Sequence, residues 1–121
     1  MVATLAYALA ALLALGIIFI GARFLVAPRV AAAGFGIPSD PAPWLSVKGV
    51  RDIASGIFVL VLLANHAPHV LGWFVLAAAI IPVGDGLIVL GAGGPKVVAY
   101  GVHWGTAIAM LAIAALLILG A

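Results

Sequence analysis

The sequence predicts an all-α integral membrane protein, an antiparallel four-helix bundle. Three observations predict it. Hydrophobic residues make up 68% of the 121 residues and charged residues 7%, whereas soluble domains carry roughly 25% charged residues. Four apolar runs are each long enough to cross a hydrocarbon core, which takes about 20 residues. The connections after the second and third runs are very short, and short connections make neighbouring helices antiparallel.

The first helix is expected at about 4–26, stopped by Pro28. A cleavable signal peptide needs a basic start and a short apolar core. This run has no Lys or Arg before it and is long enough to span, so it reads as a retained helix. The linker 27–43 holds Pro28, Gly34, Gly36, Pro38, Pro41 and Pro43. Such punctuation predicts a non-helical segment, or at most a short interfacial turn. Its Phe35 and Ile37, with Trp44, suit the headgroup region, where aromatic residues gather.

The second helix is expected at about 44–65. Its start is polar (Ser46, Lys48, Arg51, Asp52) and its remainder apolar. Asn65-His66-Ala67-Pro68 makes a tight turn. The third helix runs at about 69–90 with Pro82 inside it, and Gly91-Ala92-Gly93-Gly94-Pro95 is the next turn. The fourth runs at about 95–119, where Pro95 suits a first helical turn because its missing N–H costs nothing there. The whole of 1–121 is one membrane domain.

This arrangement puts the linker and the 91–95 turn on one bilayer face, and the 65–68 turn and both termini on the other. All five Lys and Arg residues fall on the linker side. Short loops rich in Lys and Arg stay in the cytoplasm. The expected product is a multi-pass cell-membrane protein, with linker 27–43 and turn 91–95 cytoplasmic and both termini outside.

Composition also excludes chemistry. There is no Cys, hence no disulfide, thiolate metal site or cysteine nucleophile. There is no Glu, so the acids are Asp40, Asp52 and Asp85. Five basic residues in a chain of net charge +2 make no nucleic-acid-binding tract. Pro68 interrupts His66 and His69 and no third ligand is near, so no metal site is expected. No nucleotide-binding or hydrolase motif occurs, and no cofactor is signalled.

What remains is a polar cluster near the linker face. Charge inside a membrane segment is by default a functional-site hypothesis. Asp85 is the sharpest case. It lies about 8 Å inside its helix end at 1.5 Å per residue, and its short side chain cannot reach the headgroups. Pro82 deprives the Ala78 carbonyl of its helical donor, and Gly84 and Gly86 flank the acid. Pro-x-Gly-Asp-Gly therefore reads as a locally opened helix bearing a carboxylate, and a salt bridge to an arginine is the plain structural alternative.

Asp52 suits a helix N-terminus and has Lys48 one turn before it and Ser55 one turn after. Arg51 and Arg23 come from different helices at similar depth. Two guanidiniums could clamp a carboxylate or phosphate, and at least one is expected to pair with Asp85 or Asp52. His103 shares a helical face with Tyr100 and Thr106. At the level of Asp85, it could form a proton-handling pair with it. The catalytic candidates are thus Asp85, His103 and Asp52, and the ligand-binding candidates Arg51, Arg23, Tyr100, Lys48, Ser55 and Thr106. Gly16, Gly21, Gly49, Gly56, Gly72 and the pair Gly101 and Gly105 are expected at close helix contacts, the last pair within the bundle or between copies of the chain.

Several segments together are similar to one family: Gly21-Ala-Arg-Phe-Leu with Pro28, Gly34-Phe-Gly36-Ile, Lys48-Gly-Val-Arg-Asp-Ile-Ala-Ser-Gly56, Ile81-Pro-Val-Gly-Asp-Gly86, and His103. The chain resembles, over almost its whole length, the small four-helix integral membrane proteins of domain-of-unknown-function family 4267. The resemblance implies four spans and importance for Arg51, Asp52 and Asp85, and no particular reaction. In architecture alone the chain also looks distantly like DoxX-type membrane proteins.

Three function classes fit these residues. The leading one is a membrane bundle with a polar pocket near the cytoplasmic interface. It binds a small lipophilic molecule with an anionic or carbonyl group and, if an enzyme, acts on it by acid/base chemistry. The second is a proton-coupled transporter working as a homodimer. The third is a structural subunit whose charges are salt-bridged. The expected partners are the lipid bilayer, such a ligand and a second copy of the chain.

Overall fold

A computed structural model of the chain describes residues 1–120. These residues form helices and short connections, without a strand among them. Helix α1 spans Val2–Val26, α2 Pro28–Phe35, α3 Pro43–Ala64, α4 Pro68–Ala78 and α5 Ile80–Gly91; a π-helical segment, Val98–Trp104, then runs into α6, Gly105–Leu119. Three stretches are long and apolar enough to cross a membrane: Val2–Val26, Pro68–Gly91 and Val98–Leu119. They mark a membrane protein. Helix α3 is of similar length but carries Lys48, Arg51 and Asp52 in its first half.

Prolines set the boundaries. Pro28, Pro43 and Pro68 each open a helix at its first position, where the lost N–H has no helical partner to miss. Pro82 lies inside Pro68–Gly91 and cannot donate to the Ala78 carbonyl. The helix breaks there, at Ala79, between α4 and α5.

The linker corrects the expectation of a non-helical segment, because α2 occupies eight of its residues. Pro28, Gly36 and Pro43 are end signals, while Pro38 and Pro41 lie in the non-helical stretch 37–42. Pro28 starts the helix, three alanines fill it, and Gly36 closes it at φ +104°. Gly36 and Ile37 donate their N–H groups to Ala33 and Ala32, a glycine-terminated cap. Ala27, held out of the helical region before Pro28 at φ −140° and ψ 62°, makes the corner between α1 and α2.

The helices pack chiefly as two pairs, α1 on α3 and α4 on α6, and α5 also packs on the π segment. The first contact is backbone on backbone. A Cβ at Gly21 would meet the Gly49 oxygen at 2.5 Å, one at Gly49 the Gly21 oxygen at 2.7 Å, and one at Gly56 the Ala14 oxygen at 2.6 Å. Ala6, Ala10 and Ala14, wholly enclosed and one turn apart, continue the same close seam. In the second pair Gly72 faces Leu117 and Ile118, and Gly86 lies under the Trp104 indole. Gly16 and Gly101 have open space beside them, and nothing lies nearer than 3.9 Å to a Cβ at Gly105. The Gly101 and Gly105 pair therefore makes no close helix contact within this chain. Large apolar side chains point outward on every long helix, Phe19, Phe58, Trp73, Leu87 and Ile108 among them, as expected where the solvent is lipid.

Candidate functional site

Between the helices lies a cavity of about 260 Å³, close to the small end of ligand pockets, roughly 300–1,000 Å³. One end is polar. Arg23 comes from the last turn of α1, Lys48 and Asp52 from the start of α3, Asp85 from α5 and His103 from the π segment. Ala31, Gly34 and Phe35 of α2 border it too. The rest is lined by apolar side chains such as Leu13, Val59, Phe74 and Met110.

Each polar residue has its own environment. Asp52, 9% exposed, accepts from Lys48 Nζ at 2.7 Å. The same ammonium stands 4.6 Å from the Phe24 ring centroid and 5.0 Å from that of Phe35. Two aromatic faces and a carboxylate thus replace the water it gives up. His103, 7% exposed, makes a 2.7 Å hydrogen bond from Nε2 to the Phe35 carbonyl, and its ring packs 4.3 Å from the Phe35 ring. A carbonyl only accepts, so Nε2 carries the proton. That assignment leaves Nδ1 as the acceptor and basic position of a neutral ring.

Asp85 and Arg23 are different. Both line the cavity, and neither has an ion-pair partner within 4.0 Å among the described residues. The expected pairing of an arginine with Asp85 or Asp52 does not form. Lys48 takes Asp52, and Arg29 pairs with Asp40 on the exposed linker at 3.3 Å. Ser55 and Thr106 also border the cavity, each donating its hydroxyl proton one turn back, to Arg51 O at 2.9 Å and Val102 O at 2.6 Å. Toward the cavity they offer lone pairs only.

Seven of the nine candidate residues therefore meet on one cavity: Arg23, Lys48, Asp52, Ser55, Asp85, His103 and Thr106. Arg51 and Tyr100 do not line it. Arg51 is exposed, beside Ser46, Val47 and Val50 on another face of α3, so no clamp with Arg23 is made. Lys48, Asp52, Ser55 and Val59 recur at the spacing of one α-helical stripe; Arg51 lies at the edge of that stripe, and its side chain turns outward, toward Val47 and Val50. Tyr100 is displaced by the π-helix. Bonds from i to i+5 widen the turn, so residues three apart no longer share a face. Tyr100 stands exposed and packs at a tilt against Trp104, ring centroids 5.0 Å apart, while Trp104 Nε1 donates to the Val83 carbonyl at 3.2 Å. Sequence reasoning missed two members of the site, Phe24 and Phe35. The Gly34-Phe-Gly36 triplet was the available signal, since Phe35 sits at the very end of α2.

The sequence model described as Domain of unknown function (DUF4267) matches residues 14–117. The chain belongs to that family. The matched stretch contains every polar residue that borders the cavity, from Arg23 to Thr106. No curated protein and no solved structure matches the chain, and the likeness to DoxX-type proteins gains no support.

Proposed function

We propose that this DUF4267 protein is an antiparallel bundle of four membrane spans that binds a small lipophilic molecule by an anionic or carbonyl group, with Asp85 and His103 exchanging protons with it. One observation carries the reading: an unpaired carboxylate and an unpaired guanidinium, Asp85 and Arg23, border the same internal cavity. Charges kept only for structure would be expected to pair with each other, because unpaired charge is costly inside a membrane segment. Arg23 supplies donors for the ligand's oxygen. Lys48 and Asp52 hold each other and position the aromatic end of the site. His103, its Nε2 committed to Phe35, offers Nδ1 as the base.

Opposite chain directions are supported by the contacts Gly21 to Gly49 and Ala14 to Gly56 in one pair, and Gly72 to Ile118 and Gly86 to Trp104 in the other. Helix α3, charged only in its first half, serves as the fourth span, and its charges face the polar end. The excess of Lys and Arg at that end supports a position at the cytoplasmic interface.

Two measurements test this. The chain has no cysteine, so single introduced cysteines report topology. Asn65→Cys is expected to react with a membrane-impermeant maleimide in intact cells, and Ser39→Cys only after permeabilisation. The reverse pattern would invert the orientation. For binding, native mass spectrometry of the protein extracted in a bulky steroid-based detergent is expected to show a small bound molecule. Arg23→Gln should reduce its occupancy at least tenfold without changing the unfolding temperature. Equal occupancy in both proteins would remove Arg23 from the site.

A further inference from the structure

The helix pairs part at the polar end of the cavity. There α1 packs on α3, and α5 on the π segment, but neither α1 with the π segment nor α3 with α5 makes a comparable contact. Helix α2 bridges the pairs and covers that end. The Phe35 ring lies against Phe24 and Lys48 on one side and His103 on the other, and its carbonyl holds His103 Nε2. Ala31 is buried, and Gly34 is the exposed residue of this cover. The sides are less closed. Ile20 of α1 and Val102 of the π segment line the cavity yet are 42% and 51% exposed, and Thr106, one turn after Val102, is exposed too. A side chain that borders both an internal space and the outside stands on its rim. Between α3 and α5 the one exposed lining residue is Ile81, so the wider opening lies between α1 and the π segment. Ile20 is about 9 Å inside the end of α1 at 1.5 Å per residue, and both sides of the opening belong to membrane-length apolar stretches. The opening faces lipid.

We infer, given that the cavity binds a ligand, that this ligand enters sideways from the bilayer between α1 and the π segment, and so belongs to the membrane-dissolved compounds rather than to water-soluble metabolites. The rim is apolar, Ile20 facing Val102 across the gap. A hydrated anion would have to shed its water to pass it, at a cost no rim group repays. A molecule dissolved in lipid has already left water. Arg23, one turn after Ile20, and His103, next to Val102, flank the opening and receive the polar group as it arrives.

Thiol labelling in phosphatidylcholine proteoliposomes tests the route without the natural ligand. Ser55→Cys puts a thiol of similar size on the cavity wall of a chain that has no other cysteine. N-cyclohexylmaleimide, which partitions into lipid, is expected to react with it, and a sulfonated maleimide confined to water to react far more slowly. Adding Val102→Trp narrows the gap and should slow N-cyclohexylmaleimide by at least about tenfold, because entry then waits on a rearrangement. Ile81→Trp on the other side, and Gly34→Trp on the cover, where a Cβ has open space, should leave the rate unchanged. Phe19→Cys, exposed on α1, reports reagent supply and should react alike in every background. If Val102→Trp lowers the unfolding temperature, Ile20→Trp replaces it. A rate that the blocking variant leaves unchanged overturns the lateral route. So does slowing by Gly34→Trp or Ile81→Trp in its place, equal reaction with the sulfonated reagent, or a Ser55→Cys protein silent to both while Phe19→Cys reacts. Those outcomes leave the occupancy test of Arg23→Gln untouched, so the route can fail while the binding site stands. Equal occupancy in that test removes the binding site and leaves the opening.

Discussion

Asp85→Asn is expected to leave the protein folded, to weaken its ligand binding by up to about a hundredfold and to remove any proton transfer through this residue. Asp85 borders the cavity and pairs with no cation within 4.0 Å among the described residues. Its replacement by an amide of equal size strands no partner. The change in stability should therefore stay within about 1 kcal/mol, as for substitutions away from a paired network. The ligand, by contrast, loses a group able to carry charge or a proton. Losing one charge-assisted hydrogen bond costs about 1.5–3 kcal/mol, up to a hundredfold in affinity. Unfolding temperature and bound-ligand occupancy, measured on one preparation, separate the two effects. Asp52→Asn is the contrasting control. It strands Lys48 against Phe24 and Phe35, and a partly buried ion pair broken on one side should cost about 2–3 kcal/mol of stability. If Asp85→Asn unfolds the protein as readily as Asp52→Asn, Asp85 is a structural charge and the proposed site loses its acid.

Gly49→Val is expected to disrupt the α1 and α3 pair. A Cβ at this position would stand 2.7 Å from the Gly21 oxygen and 3.1 Å from Leu25. The nearest atom is backbone, so no rotamer change relieves the overlap. The two helices must separate, which opens the seam along Ala14 and Gly56 as well. Overpacking of a tight core costs typically about 1–3 kcal/mol, and the backbone contact puts this site at the upper end. Thermal unfolding in detergent measures it. Gly16→Ala on the partner helix α1, with open space beside it, should instead gain up to about 1 kcal/mol from helix propensity. A Gly49→Val protein as stable as Gly16→Ala would mean that the seam is not tight.

The membrane character was readable from composition, because burying so many apolar residues in a soluble domain of this length is impossible. The polar stripe was readable in part. Lys48 and Asp52 stand one turn apart, and their pair forms. Arg51 was set beside Arg23 by depth alone; it sits at the edge of the stripe, three residues after Lys48 and four before Ser55, and only the packed structure shows its side chain turned outward. The π-helix had no comparable signal. Tyr100, His103 and Thr106 carry ordinary α-helical spacing, and only contacts with residues far away in the chain select the wider turn. His103 reaches the Phe35 carbonyl 68 residues away, and Trp104 reaches the Val83 carbonyl 21 away.

The sequence by itself determined that the chain is helical and membrane-bound, where most helices begin and end, and that charge collects toward one end. These depend on local properties: hydropathy, the missing N–H of proline, and the freedom of glycine at Gly36. The tertiary structure alone decided which charges pair and which stay free. It gave Lys48 to Asp52, turned Arg51 away, left Arg23 and Asp85 beside a shared cavity, and fixed His103 by a carbonyl from α2. Ion pairs and hydrogen bonds act over a few ångströms, and only the packed helices bring those groups within reach.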